Sequence, residues 1–230
     1  MLQPMQPSKE PASASLILNR IAQHAQQQPD QPALLSSQAT LSYAELQRRI
    51  EALSLRLQAS GFNQLALLMD NSPDWIICQL AAMDAGICVT PIPLFFSTEQ
   101  IYHLLDSCGI ELLICDRVSR LDALGIETIL RPDIHSGAVR RNCPHSRLAQ
   151  LPLSRPEATG LITFTSGTTG HPKGVCLSSR SLDRLCQSLF EQIEPLNIER
   201  HTCLLPLSVL LEHVAGVLLA LYAGAQCSIY

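Results

Sequence analysis

At 230 residues the chain can hold one large domain or two small ones with a well-buried core. A hydrophobic content of 47% against 16% charged argues against disorder, and a net charge of −4 offers no basic field for nucleic acid. No apolar run reaches the roughly eighteen residues of a membrane span, and no signal-peptide pattern opens the chain. The nine cysteines are therefore read as reduced thiols of a cytoplasmic protein, free of disulfides and of zinc.

Residues 1–14, rich in Gln, Pro and Ser, read as a disordered leader, and 15–230 as one folded unit. The first predicted helix, 15–28, carries Leu16, Ile17 and Ile21 and stops before Pro29. Strands follow at 33–36 and 40–41. Ser42 and Glu45 have capping-box spacing, and the helix they open places Leu46, Ile50, Leu53 and Leu57 on one side before Gly61 ends it. A strand at 65–69 leads to Ser72-Pro73-Asp74, which reads as an N-cap, a first-turn proline and a dipole-favoured acid. That helix runs to Ala85 and Gly86, and a strand spans 87–91. Ser97 and Gln100 open another helix, with Ile101, Leu104, Leu105 and Cys108 facing the core. Strands are expected at 111–115 and 127–130. The βα alternation implies doubly wound, mostly parallel α/β sheets with flanking helices.

From 131 to 157 the pattern dissolves, and the stretch reads as a long surface loop. His135, Cys143 and His145 within it match no metal-ligand spacing. The apolar, β-branched run 161–164 then reads as a buried strand. It feeds TSGTTGHPKGV at 165–175, where three glycines, four hydroxyls and Lys173 crowd together, and 175–177 reads as the return strand of a hairpin. Glycines let the backbone approach an anion closely, successive amides form an anion-binding concavity, and lysine supplies a point charge. The chemistry indicated is a cradle for a nucleotide's phosphates. It is not the P-loop of common nucleotide hydrolases, because Lys173 follows Pro172 and precedes Gly174, and the loop lacks G-x-G-x-x-G. A helix over 180–194, a strand at 202–205 and the apolar segment 205–230 complete the chain.

The eleven-residue string 165–175 resembles the phosphate-binding signature of the adenylate-forming (AMP-binding) superfamily, which includes acyl-CoA synthetases and the adenylation domains of peptide synthetases. LSYAEL at 41–46 and AMDAGICVTPI at 82–92 resemble two scaffold elements of that family, and 205–230 resembles its acyl-pocket region, most closely in fatty acyl-CoA synthetases. Val209 departs from the pattern, which has a histidine there, while Glu212 keeps its place beside His213. The resemblance implies that Thr165, Ser166, Gly167, Thr168, Thr169, Gly170 and Lys173 hold ATP phosphates. It implies a pocket role for Glu212 and His213, although the residues themselves also allow a solvated helix start. It further implies ATP, Mg²⁺ and coenzyme A as cofactors, a small carboxylic acid as substrate, and a CoA or carrier-protein thiol as acceptor. The activity expected is that of a carboxylic acid–CoA ligase for a fatty or other apolar acid. The alternatives are an adenylation domain loading a carrier protein, or a non-catalytic module that keeps only the scaffold. Nothing in the sequence matches the family's Y-G-x-T-E element or its C-terminal lysine. The chain thus reads as an N-terminal fragment, inactive alone, with self-association at a truncated sheet edge as an expectation.

Overall fold

Period-two alternation in the strands decides the layering. The computed structural model describes residues 15–117, 120, 138–140, 158–165 and 172–230. Strand β3 (Gln64–Leu68) is central in a six-stranded sheet, parallel to β4 (Cys88–Pro91) on one side and β5 (Leu112–Cys115) on the other. Leu65, Leu67, Val89, Leu112 and Ile114 point to one face, where they pack with helix α3 (Pro73–Asp84) and helix α2 (Tyr43–Ser60). Ala66, Leu68, Cys88, Leu113 and Cys115 point to the other, against Ile101, Leu104 and Leu105 of helix α4 (Thr98–Ser107). Strands buried on both faces read as continuous apolar runs. The connections through α3 and α4 leave on opposite faces, which makes the sheet doubly wound.

Strand β7 (Thr159–Thr165) lies parallel beside β4, and β8 (Lys173–Ser178) returns antiparallel to form the outer edge. At the opposite edge stands β6 (Ala138–Arg140), antiparallel to β5. This strand lies inside the stretch expected to be an unstructured loop. Three residues suffice for an edge strand, and so short a run carries no readable periodicity. The strand expected at 127–130, the residues His135, Cys143 and His145, and the leader lie outside the described residues.

A second sheet has the order β2 (Thr40–Ser42), β1 (Pro32–Leu35), β10 (Gln226–Ile229), β9 (Arg200–Cys203). Its centre is a parallel pairing between the two ends of the chain, Leu34 opposite Cys227. Between the sheets lie α1 (Leu16–Gln27), α2, α3 and α5 (Ser179–Ile193), all contributing to one apolar cluster that contains Leu34, Cys227 and Ile229 from one sheet and Leu65 and Leu67 from the other. Leu46, Ile50, Leu53 and Leu57 of α2 are buried as their spacing predicts. Burying each such side chain stabilises by about 1.5–3 kcal/mol.

The caps follow their chemistry closely. Ser15, Ser42, Ser72, Ser97 and Ser178 each accept a backbone N–H in the first turn of a helix. The reciprocal half of the box exists at Ser97–Gln100. At Ser42 the Glu45 carboxylate instead pairs with Arg48 and Arg49 of its own helix. Gly61 ends α2 with φ +71°, the left-handed conformation glycine adopts without a Cβ clash.

Candidate functional site

Strand β7 delivers its C-terminal residue, Thr165, to the carboxyl edge of the parallel strands, where open α/β sheets bind ligands. The last pair of the β7–β8 ladder is Thr165 opposite Lys173, and the Thr165 hydroxyl donates to the Lys173 carbonyl at 3.4 Å. Lys173 is exposed and Pro172 beside it is buried. The ladder is closely packed: a Cβ on Gly174 would stand 3.2 Å from Phe164 Cζ and Ile162 Cγ2. Thus the hairpin holds both ends of the 166–171 segment and leaves the lysine exposed. Ser166, Gly167, Thr168, Thr169 and Gly170 lie outside the described residues.

Glu212 and His213 stand at a second place, after β9. A π-helical segment, Glu212–Leu218, runs directly into helix α6 (Leu219–Ala223), ended by Gly224 at φ +83°. Such wide turns are rare and recur at functional sites. Both residues are buried, so neither is a solvated helix start. The Glu212 carboxylate accepts from the N–H groups of Leu204 (3.1 Å) and Leu205 (2.9 Å), and lies 2.8 Å from His201 Nε2. Burial pushes its pKa up, but the hydrogen bonds from Leu205, His201 and Leu204 outweigh that and hold it below the usual carboxylate value. Gly216 makes room, since a Cβ there would sit 2.3 Å from Glu212 Oε1 and 2.8 Å from His201 Nε2.

His213 points the other way. Its ring meets Trp75 of α3 edge-on at 5.1 Å, and its Nε2 is buried without a partner. Burial pushes its pKa down to about 4, so the ring is neutral at pH 7. The two residues named together from sequence therefore do different things. Glu212 grips the turn after β9, and His213 packs into the core.

Sequence reasoning missed Asn71, which joins the two sheets at this end. Its amide donates to the Leu205 carbonyl (2.9 Å) and accepts from Leu207 N–H (2.8 Å). It missed His201 and Gly216 as well, whose types and spacing carry no signal outside the fold. Among the described residues, no group of three or more His, Cys, Asp or Glu could hold a metal. No helix among them is long and apolar enough to cross a membrane.

The family model for AMP-binding enzymes matches residues 21–230. The chain belongs to this family. Among curated proteins, this chain is 29% identical over 169 residues to phosphinothricin tripeptide synthetase PhsC of Streptomyces viridochromogenes, covering 71% of this chain and 15% of that protein. It is 30% identical over 175 residues to tyrocidine synthase 2 of Brevibacillus parabrevis, covering 74% and 5%. Among solved structures it is similar to the N-terminal subdomain of Klebsiella oxytoca NpsA in complex with 3-hydroxybenzoyl-AMSN (TM-score 0.66, 25% identity, 93% of this chain and 53% of that one). It is also similar to the inhibitor-bound N-terminal domain of FACL13 from Mycobacterium tuberculosis (TM-score 0.72, 21% identity, 93% and 56%). Its fold, parallel sheets with flanking helices, is that of the N-terminal subdomain of adenylate-forming enzymes. The chain spans about half the length of those solved chains and a small share of the synthetases.

Proposed function

We propose that this chain supplies the phosphate-binding hairpin of an enzyme that activates a carboxylic acid with ATP. A carboxylate oxygen bonds to the α-phosphorus as the bond from that phosphorus to the pyrophosphate oxygen breaks, and pyrophosphate leaves with the electron pair. A thiol then attacks the acyl carbon of the acyl-adenylate, and AMP leaves. In this reading Ser166, Thr168, Thr169, the amides of Gly167 and Gly170, and Lys173 hold the departing pyrophosphate, and Thr165 closes the loop at its base. The observation that carries the reading is the hairpin itself: the Thr165–Lys173 closure at the carboxyl end of β7, with an exposed lysine at the loop's base. Such chemistry depends on positioning and charge neutralisation. Mg²⁺, when bound to the nucleotide, neutralises phosphate charge, and the protein residues named here do the rest of the holding.

Two acceptors have support. The peptide-synthetase relatives at 29–30% identity favour a carrier-protein thiol. The resemblance of 205–230 to fatty acyl-CoA synthetases, together with leucines exposed beside Glu212, favours coenzyme A and an apolar acid. Offering labelled acid and ATP with either CoA or a carrier protein bearing its phosphopantetheine separates them. A cytoplasmic setting, and self-association through the outer strands β8 and β9, belong to the same proposal.

Hydrogen exchange with and without pyrophosphate tests the hairpin. Pyrophosphate should protect amides between Thr165 and Gly174, and Lys173→Ala should raise the concentration needed by about tenfold or more, the worth of a charge-assisted hydrogen bond. Protection that is absent, or indifferent to Lys173→Ala, overturns the reading.

A further inference from the structure

Asp183, in the second turn of α5, is a carboxylate inside the protein, 8% exposed. Its Oδ1 accepts from the Ser15 hydroxyl at 2.7 Å and from the Ile17 N–H at 3.1 Å, so it caps the N-terminus of α1 from another helix. The first of these bonds joins residues 168 apart in sequence. Burying a carboxylate costs free energy that an apolar residue in its place would not, and the two donors offset that cost. Leu182 and Cys186 also hold α5 on the core, but apolar burial has no direction and tolerates a small slide along the helix axis. Two hydrogen bonds meeting on one oxygen do not. The position of α5 in turn sets that of β8. Strand β8 ends at Ser178 and α5 begins at Ser179, with no loop between them. Ser179 lies against β7, where a Cβ on Gly160 would stand 2.3 Å from its Oγ. β8 itself is a bare edge: Lys173, Gly174, Val175 and Cys176 are exposed, and among the described residues its strand pairing is with β7 alone. Its register therefore rests on that ladder and on the helix it runs into. A slip of one residue moves Lys173 about 3.3 Å from its place opposite Thr165 and turns its side chain to the other face.

We infer that Asp183 is a positioning residue for the phosphate site: by locking α5 to the N-terminus of α1 it fixes the register of β8, and so the place of Lys173. This rests on the reading of the hairpin as a holder of phosphates. It gives α1 a part in that site without contact, through Ser15, Asp183 and the unbroken run from α5 into β8.

Amide NMR on the ¹⁵N-labelled chain, alone and titrated with inorganic pyrophosphate, tests this. Asp183→Ala should speed exchange in the β7–β8 ladder about tenfold relative to β3, the equivalent of one hydrogen bond to a charged group. The pyrophosphate concentration that half-saturates the Lys173 and Gly174 shifts should rise by about the same factor. Asp183→Asn keeps an acceptor oxygen where both donors meet, so it should restore most of both effects. Ser15→Ala removes the shorter bond and keeps the carboxylate, and should show both effects in smaller measure even where Asp183→Ala fails to fold. Ser54→Ala removes a different interhelix bond, from Ser54 of α2 to Asp84 of α3 at 2.6 Å, and should lower stability with neither effect. Ladder exchange that rises only in step with β3, in Asp183→Ala or in Ser15→Ala, refutes the register role. Equal losses in Asp183→Asn and Asp183→Ala refute the lock through a shared oxygen. A loosened ladder with unaltered pyrophosphate binding refutes the link to Lys173. Pyrophosphate without effect on the unaltered chain overturns the phosphate reading and this role with it. That failure shows in the unaltered chain, whereas failure of the lock alone shows only in the variants.

Discussion

Replacing His213 with phenylalanine should remove an acid sensitivity from the fold. The imidazole is buried against Trp75 and its pKa is pushed down to about 4, from 6.5 in an unfolded chain. The unfolded state therefore takes up the proton first as pH falls. This histidine costs no pH-dependent stability above 6.5; stability is lost progressively as pH drops from 6.5 to 4, and the loss is complete below that. Each tenfold difference in proton affinity between the two states is worth about 1.4 kcal/mol, so the loss is about 2 kcal/mol at pH 5 and about 3 kcal/mol at pH 4. Against a total stability of roughly 5–15 kcal/mol, that is readily measured. Urea denaturation near pH 8 and near pH 5 reads it, and Trp75, the sole tryptophan, reports unfolding. Phenylalanine preserves an aromatic edge on Trp75 and deletes both the proton site and the unpartnered Nε2. His24 is also held below the usual histidine value, mainly by burial, so the unaltered chain will lose more than the His213 share. The difference between the two chains isolates it. His213→Phe should be about 2 kcal/mol less sensitive to the change from pH 8 to pH 5. Equal sensitivity in both proteins would falsify the burial argument.

Three further outcomes follow from the packing. Tyr43 is fully buried and donates to the Ala225 carbonyl at 2.9 Å, so Tyr43→Phe should cost about 1 kcal/mol in chemical denaturation, the net worth of one hydrogen bond. Gly224→Ala forces φ +83° on a residue with a Cβ, and that Cβ would stand 2.7 Å from the His24 ring, which bonds the Tyr222 carbonyl. Its cost should exceed the roughly 1–2 kcal/mol of the backbone conformation alone, and a melting temperature equal to that of the unaltered chain would contradict it. Among the described cysteines Cys176 is exposed, whereas burial pushes Cys78, Cys186, Cys203 and Cys227 up to about 12. Thiol labelling of the native protein should therefore reach Cys176 first and those four only on unfolding, as read by peptide mass spectrometry.

The helices and the hairpin were legible because their signals are local. A serine just ahead of a helix's first turn caps it the same way wherever it occurs, and the leucine stripe of α2 needs only an apolar neighbour to be buried. The hairpin around 165–175 was legible in the same way, and β7 and β8 lie where the residues flanking that string place them. The role of the paired residues 212 and 213 was not legible. Whether a glutamate faces water or three donors depends on where β9 and its turn come to lie, and nothing in the residue or its neighbours records that.

By itself, then, the amino-acid sequence determined for most segments whether they become helix or strand, and where most of them stop. Only the tertiary structure decided that Leu34 lies beside Cys227, that Ala138–Arg140 forms an edge strand, and that Glu212 turns inward while His213 meets Trp75. The physical reason is range. Caps and periodicity act across three or four residues through the chain's own geometry. Parallel pairing and buried polar contacts exist only once distant segments have been brought together by the apolar layer between the two sheets.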